Sequence, residues 1–160
     1  QLIQVQETPR DSLDEIRRIA RRLRPGVLEE LGLVSALKAL LTEVTGHTDL
    51  TVEQHLASDL PALGGEAELV IYRVAQEALT NTVRHGKATA VTLSLEHGGG
   101  TVRLRVRDDG RGIRGAPEGA GIRGMRERAL LIGAHLSVGP GPAGGTEVRL
   151  TVPVEEGARR

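Results

Sequence analysis

An α+β fold, with helices layered on one sheet, is what this sequence predicts. Three observations predict it. Strict apolar alternation marks three strands, Val91/Leu93/Leu95, Val102/Leu104/Val106 and Val148/Leu150/Val152. A stretch without glycine or proline, Glu66 to His85, reads as one long helix. The elements come in mixed order with hairpin signals between strands, which suits helices layered on one sheet.

An N-terminal helical segment precedes that layer. Over residues 1–46, Leu2, Val5, Ile16, Ile19 and Leu23 fall on alternating three- and four-residue steps, the spacing of a coiled-coil seam. Pro9 and Ser12 occupy intermediate steps and weaken the seam. Ser12-Leu-Asp-Glu15 reads as a capping box, so a stable helix starts there. Pro25-Gly26 interrupts the pattern. A second helix is expected from Val27 to Thr45, with Leu28, Leu31, Val34, Leu37, Leu40 and Leu41 on its apolar side and Gly46 as its stop.

From Asp49 the period shortens, and Leu50, Val52 and Leu56 suit a strand. Pro61 to Gly65 is a turn, and the long helix follows. Gly98-Gly-Gly100 joins the first two alternating strands as a hairpin. Residues 110–124 are rich in glycine and charge and read as a mobile loop. A helix over 124–132, a short strand at Leu136/Val138, a Gly-Pro turn over 139–145 and the last strand complete the order. The expected division is a helical segment 1–46, a domain 47–154 and a disordered tail 155–160.

Composition excludes several functions. The chain has 160 residues, enough for one domain plus an appendage. With one Tyr and no Phe or Trp, the core is aliphatic and stacking of nucleic-acid bases on aromatics is not available. Basic and acidic residues balance at 21 each, so no basic nucleic-acid surface is expected. Without cysteine there is no disulfide framework and no Cys-based metal site or nucleophile. No apolar run approaches the ~18–20 residues of a membrane span, and no signal peptide is visible. The only methionine is Met125, so the chain reads as a piece of something longer, with any sensor or membrane segment outside it.

Three weak motifs carry the chemistry. Glu77, Asn81 and His85 are spaced by four and line one helix face. An Asn carbonyl suits Mg2+, which takes oxygen ligands and few of them from protein. A carboxylate one turn away can deprotonate a nucleophile, and Lys87 can reach a phosphate as a point charge. The same spacing also describes a solvated helix face. Asp108 ends a buried strand, where a carboxylate can accept from an adenine amino group; Gly110 and Gly112 let the backbone approach a flat base. Asp-Asp-Gly is equally a common tight turn. Gly119, Gly121 and Gly124 precede a predicted helix, where backbone N–H groups can converge on phosphates, or simply form a flexible loop. Thr146 opens the last strand and can bond near Asp108, or only start the strand.

Their order and spacing resemble the catalytic, ATP-binding domain of sensor histidine kinases, in the Bergerat-type ATPase superfamily shared with gyrase, Hsp90 and MutL. That resemblance implies a two-layer α/β sandwich whose mixed, mainly antiparallel sheet is covered by helices. The stretch from Ile71 to Asn81, with His85, is similar to the family's N box. Asp108-Asp-Gly-Arg-Gly-Ile113 resembles its G1 box, and the stretch from Gly119 to Arg128 its G2 box. Gly-Met-Arg-Glu-Arg, together with Leu-Arg-Pro at 23–25, resembles the subfamily that feeds NarL/LuxR-type response regulators. The resemblance implies that Asn81 holds Mg2+ against ATP, that Glu77 assists the attacking imidazole, and that Asp108 binds the adenine amino group. Gly110, Gly112 and Thr146 would surround the base, walled by Ile113, Ile122 and Met125. Gly119, Gly121 and Gly124 would form part of a lid, with His85 and Lys87 near the phosphates.

It further implies dimerisation through the phosphotransfer helices, a response regulator as partner, and a cytoplasmic location, with membrane attachment only through segments outside this chain. One departure stands out. The five histidines, 47, 55, 85, 97 and 135, lack the setting of the family's phosphoaccepting His. The expectation is therefore a catalytic piece acting on a histidine outside it. The alternatives are a serine kinase of the anti-sigma type and a degenerate ATP-binding interaction module.

Overall fold

The computed structural model describes residues 24–85, 87–112 and 119–154. The expected coiled-coil seam, the capping box and the tail lie outside these. So does Ile113.

The elements are α1 (Gly26–Thr45), β1 (Thr51–Leu56), α2 (Gly65–His85), β2 (Ala90–Gly98), β3 (Thr101–Asp108), α3 (Ala120–Leu131), β4 (His135–Pro140) and β5 (Thr146–Pro153). The five strands form one sheet in the order β1-β2-β3-β5-β4. β1 pairs parallel with β2, and the remaining pairs are antiparallel. This is the mixed, mainly antiparallel sheet that the family resemblance implies.

Register sorts the side chains onto two faces. Leu95, Leu104, Leu150 and Leu136 align across four strands, as do Leu93, Val106, Val148 and Val138. All but half-buried Val138 are buried, together with Val70, Ile71, Val74, Ala78 and Leu79 of α2 and Met125 and Ala129 of α3. Aliphatic burial of this kind, at ~25 cal/mol per Å2 of apolar area, is the main force holding the layers together. The opposite face carries Arg103, Arg105 and Arg107 of β3 beside Arg149 and Glu147 of β5.

α1 packs on α2 and adds Leu28, Leu33, Ala36, Leu37, Leu40 and Leu41 to the same core. It is not the single regular helix expected. Gly32 lies at φ 85°, ψ 174° and kinks it. A positive φ here is cheap only for glycine. The kink shifts the helical register: Leu31, expected on the apolar side, is 62% exposed, and Leu33 is buried in its place. Arg24 of the Leu-Arg-Pro stretch ties the start of α1 to α2 through Glu68, with Nη2 3.0 Å from Oε1.

α3 also departs from expectation. It starts at Ala120, four residues early, so Gly121 and Gly124 lie within its first turns and not before it. Gly119, in an extended conformation, is its N-cap. Burial of Met125 and Ala129, one turn apart, anchors the helix and outweighs the low helix propensity of two glycines.

Candidate active site

The site is built between α2, α3 and the β3–β5 end of the sheet. α2 is amphipathic: Val74, Ala75, Ala78 and Leu79 face the core, which turns Glu77, Asn81 and His85 toward the gap beside α3. That gap is a cavity of about 460 Å3. Glu77, Asn81 and His85 line one wall. Asp108, Thr146, Val106 and Val148 form the floor, and Gly119, Gly121, Ile122 and Met125 the opposite wall. Gly112 also lines the cavity.

The structure therefore brings together most of the residues singled out from sequence. Three of the described ones are not among the residues that line the cavity. Gly110 contributes through its N–H to Asp108, Gly124 lies deeper in α3, and Lys87 borders a smaller neighbouring cavity with Asp49, Thr82 and Thr89. Lys87 also takes φ 48°, an uncommon conformation for a side-chain-bearing residue.

Asp108 ends β3 on the helix-covered face and is buried, 8% exposed. A buried carboxylate needs donors, and three are in place. Gly110 N donates to Oδ1 at 2.9 Å, Thr146 N to the same oxygen at 3.3 Å, and Thr82 Oγ1 to Oδ2 at 2.9 Å. The turn that supplies these donors is held by close backbone packing. Gly145, at φ 75°, sits so tightly behind Asp108 that any Cβ would overlap the Asp108 carbonyl. Gly121 fits as closely against the Glu77 carboxylate, which brings the α3 N-terminus and the α2 carboxylate into contact.

Two residues that help to hold the site carry no obvious signal in the sequence. Thr82 is hidden among the helical residues of α2, where nothing but its place beside Asn81 points to Asp108. Asp109 looks like the spare acid of an Asp-Asp-Gly turn. It accepts from Thr89 N at 2.7 Å, from Ala90 N at 2.9 Å and from Thr89 Oγ1. These bonds, the Thr89 hydroxyl foremost, hold its carboxyl below the usual aspartate range. Asp109 thereby closes the connection between α2 and β2.

Mg2+ suits what faces the cavity. Among the described residues no group of three His, Cys, Asp or Glu side chains forms a ready-made metal cage. Asn81 instead presents a single amide oxygen to the cavity, which suits an ion that keeps most of its ligands as phosphate and water.

Residues 66–156 match the family model described as Histidine kinase-, DNA gyrase B-, and HSP90-like ATPase. The chain belongs to this family. Similar members include the oxygen sensor histidine kinase NreB of Staphylococcus carnosus, 30% identical over 148 residues that make up 90% of this chain and 43% of NreB. The sensor histidine kinase LiaS of Bacillus subtilis is 33% identical over 147 residues, 90% of this chain and 40% of LiaS. The histidine kinase domain of the blue-light activated kinase of Erythrobacter litoralis superposes with a TM-score of 0.63 at 26% identity, covering 76% of this chain and 59% of that one. The chain spans less than half the length of the curated relatives NreB and LiaS. No helix among its described residues is long and apolar enough to cross a membrane.

Proposed function

We propose that this chain is the ATP-binding catalytic part of a sensor histidine kinase, cytoplasmic, passing the γ-phosphoryl group of ATP to a histidine outside residues 1–160 and thence to a response-regulator aspartate. The observation that carries this reading is the cavity with a buried Asp108, held by three hydrogen bonds, at its floor and Glu77, Asn81 and His85 on its wall. Asp108 accepts from the adenine amino group, an acceptor fixed in place before the base arrives. Val106, Val148, Met125 and Ile122 enclose the base in aliphatic surface, the role that aromatics would otherwise fill. Asn81 would hold Mg2+, with His85 toward the phosphates, and the ion's charge would offset that of the transferring phosphoryl group. Glu77 takes a hydrogen bond from the incoming imidazole and orients it for attack. Rate comes mainly from this positioning and from fixed dipoles in a site that excludes water. Gly110 and Gly112 let the turn after Asp108 stay close to the base, and Gly119, Gly121 and Gly124 allow the α3 end to serve as a lid. Lys87, beyond the lining, reaches phosphate only if the α2–β2 connection moves.

The likeness of Gly124-Met-Arg-Glu-Arg128 to the NarL/LuxR-linked kinases supports a regulator of that type and a dimer formed by the full phosphotransfer hairpin. On this reading residues 1–46 belong to that hairpin, 47–154 to the ATP-binding domain and 155–160 to a tail. The test is direct. Joined to a helix that carries the family's phosphoaccepting His and incubated with Mg2+ and γ-labelled ATP, the chain should acquire acid-labile, alkali-stable phosphate. Label that is stable to acid would point to a serine kinase instead, and ATP binding without label to a degenerate module.

A further inference from the structure

The Thr82 hydroxyl lies 2.9 Å from Asp108 Oδ2 and 3.1 Å from the Ala78 carbonyl oxygen, and Thr82 lines the cavity although it is only 3% exposed. A hydroxyl has one proton. It serves one of these acceptors at a time and is free to turn to a third.

Adenine presents a donor and an acceptor side by side on one edge: the amino group at C6 and the ring nitrogen N1. The cavity floor presents the complement, a carboxylate oxygen beside a hydroxyl. We infer that Thr82 is a second base-reading residue, whose hydroxyl donates to N1 of adenine while Asp108 accepts from the amino group. This rests on the ATP-binding role proposed above and adds the residue that completes adenine recognition.

The exchange keeps every buried group satisfied. Without nucleotide, the Thr82 proton covers Oδ2, so the buried carboxylate is never left short of donors. When adenine enters, its amino group takes that place on Oδ2. The released hydroxyl proton turns to N1, which would otherwise lose its hydrogen bond to water on burial. Leaving such a group unpaired is the larger penalty, so a site that pairs both atoms discriminates better than one that pairs the amino group alone.

The experiment is a mutant–analogue cycle. Dissociation constants are measured for ATP and for 1-deaza-ATP, in which N1 is replaced by C–H, with Mg2+ present. The unmodified chain should bind ATP about tenfold more tightly than 1-deaza-ATP. Thr82→Val, nearly the same shape without the hydroxyl, should bind the two nucleotides alike. Thr82→Ser should restore most of the preference. A role for Thr82 in packing alone would weaken both nucleotides together and leave their ratio unchanged in Thr82→Val; that result overturns the inference. So does equal binding of ATP and 1-deaza-ATP by the unmodified chain, a measurement that needs no variant. Failure of that chain to bind ATP at all would instead bring down the proposed function.

Discussion

Two carboxylates on opposite faces of the same sheet are held in opposite ways. Asp108 of β3 sits under the helices and is surrounded by neutral donors: two backbone N–H groups and a threonine hydroxyl. Glu147 of β5, on the open face, is surrounded by cations. Arg105 Nε lies 3.0 Å from its Oε2, Arg107 Nη2 3.2 Å and Arg149 Nη2 3.5 Å. Burial raises the Glu147 pKa, but the Arg107 hydrogen bond and the charges of Arg149, Arg107 and Arg105 outweigh it, and the carboxyl ends below the usual glutamate range. Cations saturate a carboxylate and leave it nothing to offer. Neutral, directional donors fix its position and leave an acceptor site open. The first arrangement staples strands together; the second makes a binding site.

The largest effect should come from the backbone behind Asp108. Gly145→Ala introduces a Cβ that meets the Asp108 carbonyl, at a φ of 75° that only glycine adopts freely. Both faults are in rigid backbone, so a loss of about 3 kcal/mol or more is expected. Thermal unfolding measures it. A variant of near-normal stability would mean that the β3–β5 turn is looser than the packing indicates, and that Asp108 is not firmly held.

Next comes Asp108→Asn, which keeps shape but presents an amide where a carboxylate accepted. ATP affinity should fall about a hundredfold or more, because a site built to pair the adenine amino group is left with a mismatched partner. Stability should change less than affinity, since the Asn oxygen still accepts from Gly110 and Thr146. Calorimetric titration beside thermal unfolding separates the two quantities. Equal binding of ATP by the variant would erase the distinction between the two faces.

Glu147→Gln tests the other side. The expected cost near neutral pH is about 1–2 kcal/mol, given a pair that is only partly buried and partners that remain half exposed. The sign with pH follows from the depressed folded-state pKa. Its stabilisation is complete above the ordinary glutamate value of 4.5 and is lost as pH falls from there through the folded value. Unfolding temperature plotted against pH should therefore fall less steeply below about pH 4.5 in the variant than in the unmodified chain. ATP affinity should be untouched. A large loss of affinity would show that the open face communicates with the cavity.

The contrast also explains what sequence does and does not convey. Strands such as Leu93/Leu95 and Leu104/Val106 are legible because a two-residue period fixes which face is buried. Glu77, Asn81 and His85 are legible because a four-residue spacing fixes a helix face. The Leu31/Leu33 shift at Gly32 is not, because a single backbone angle resets the register without altering composition. The early start of α3 is hidden for the same reason: glycines at 121 and 124 read as loop until the packing of Met125 and Ala129 is known. Glu147 and Thr82 are illegible because their partners come from other elements, 40 residues away for Arg107 and 26 for Asp108. Long-range pairing leaves no local signature.

Asp109 gives the smallest and most local test. It stands next to Asp108 in the chain, yet its carboxylate is exposed and accepts from the backbone of Thr89 and Ala90 where the neighbouring strand begins. Exposure means that water replaces these bonds readily, so global stability should move little in Asp109→Ala. What changes is local: the amides of Thr89 and Ala90 lose their acceptor, and their hydrogen exchange should speed up at neutral pH. Because the folded-state pKa is lowered, the protection is present above the ordinary aspartate value and disappears as pH drops through the folded one. The Thr146 amide, which donates to Asp108 instead, should exchange as before. If Thr146 exchange also rose, the two adjacent aspartates would be acting as one unit, and Asp108 would owe its fixed position partly to its exposed neighbour.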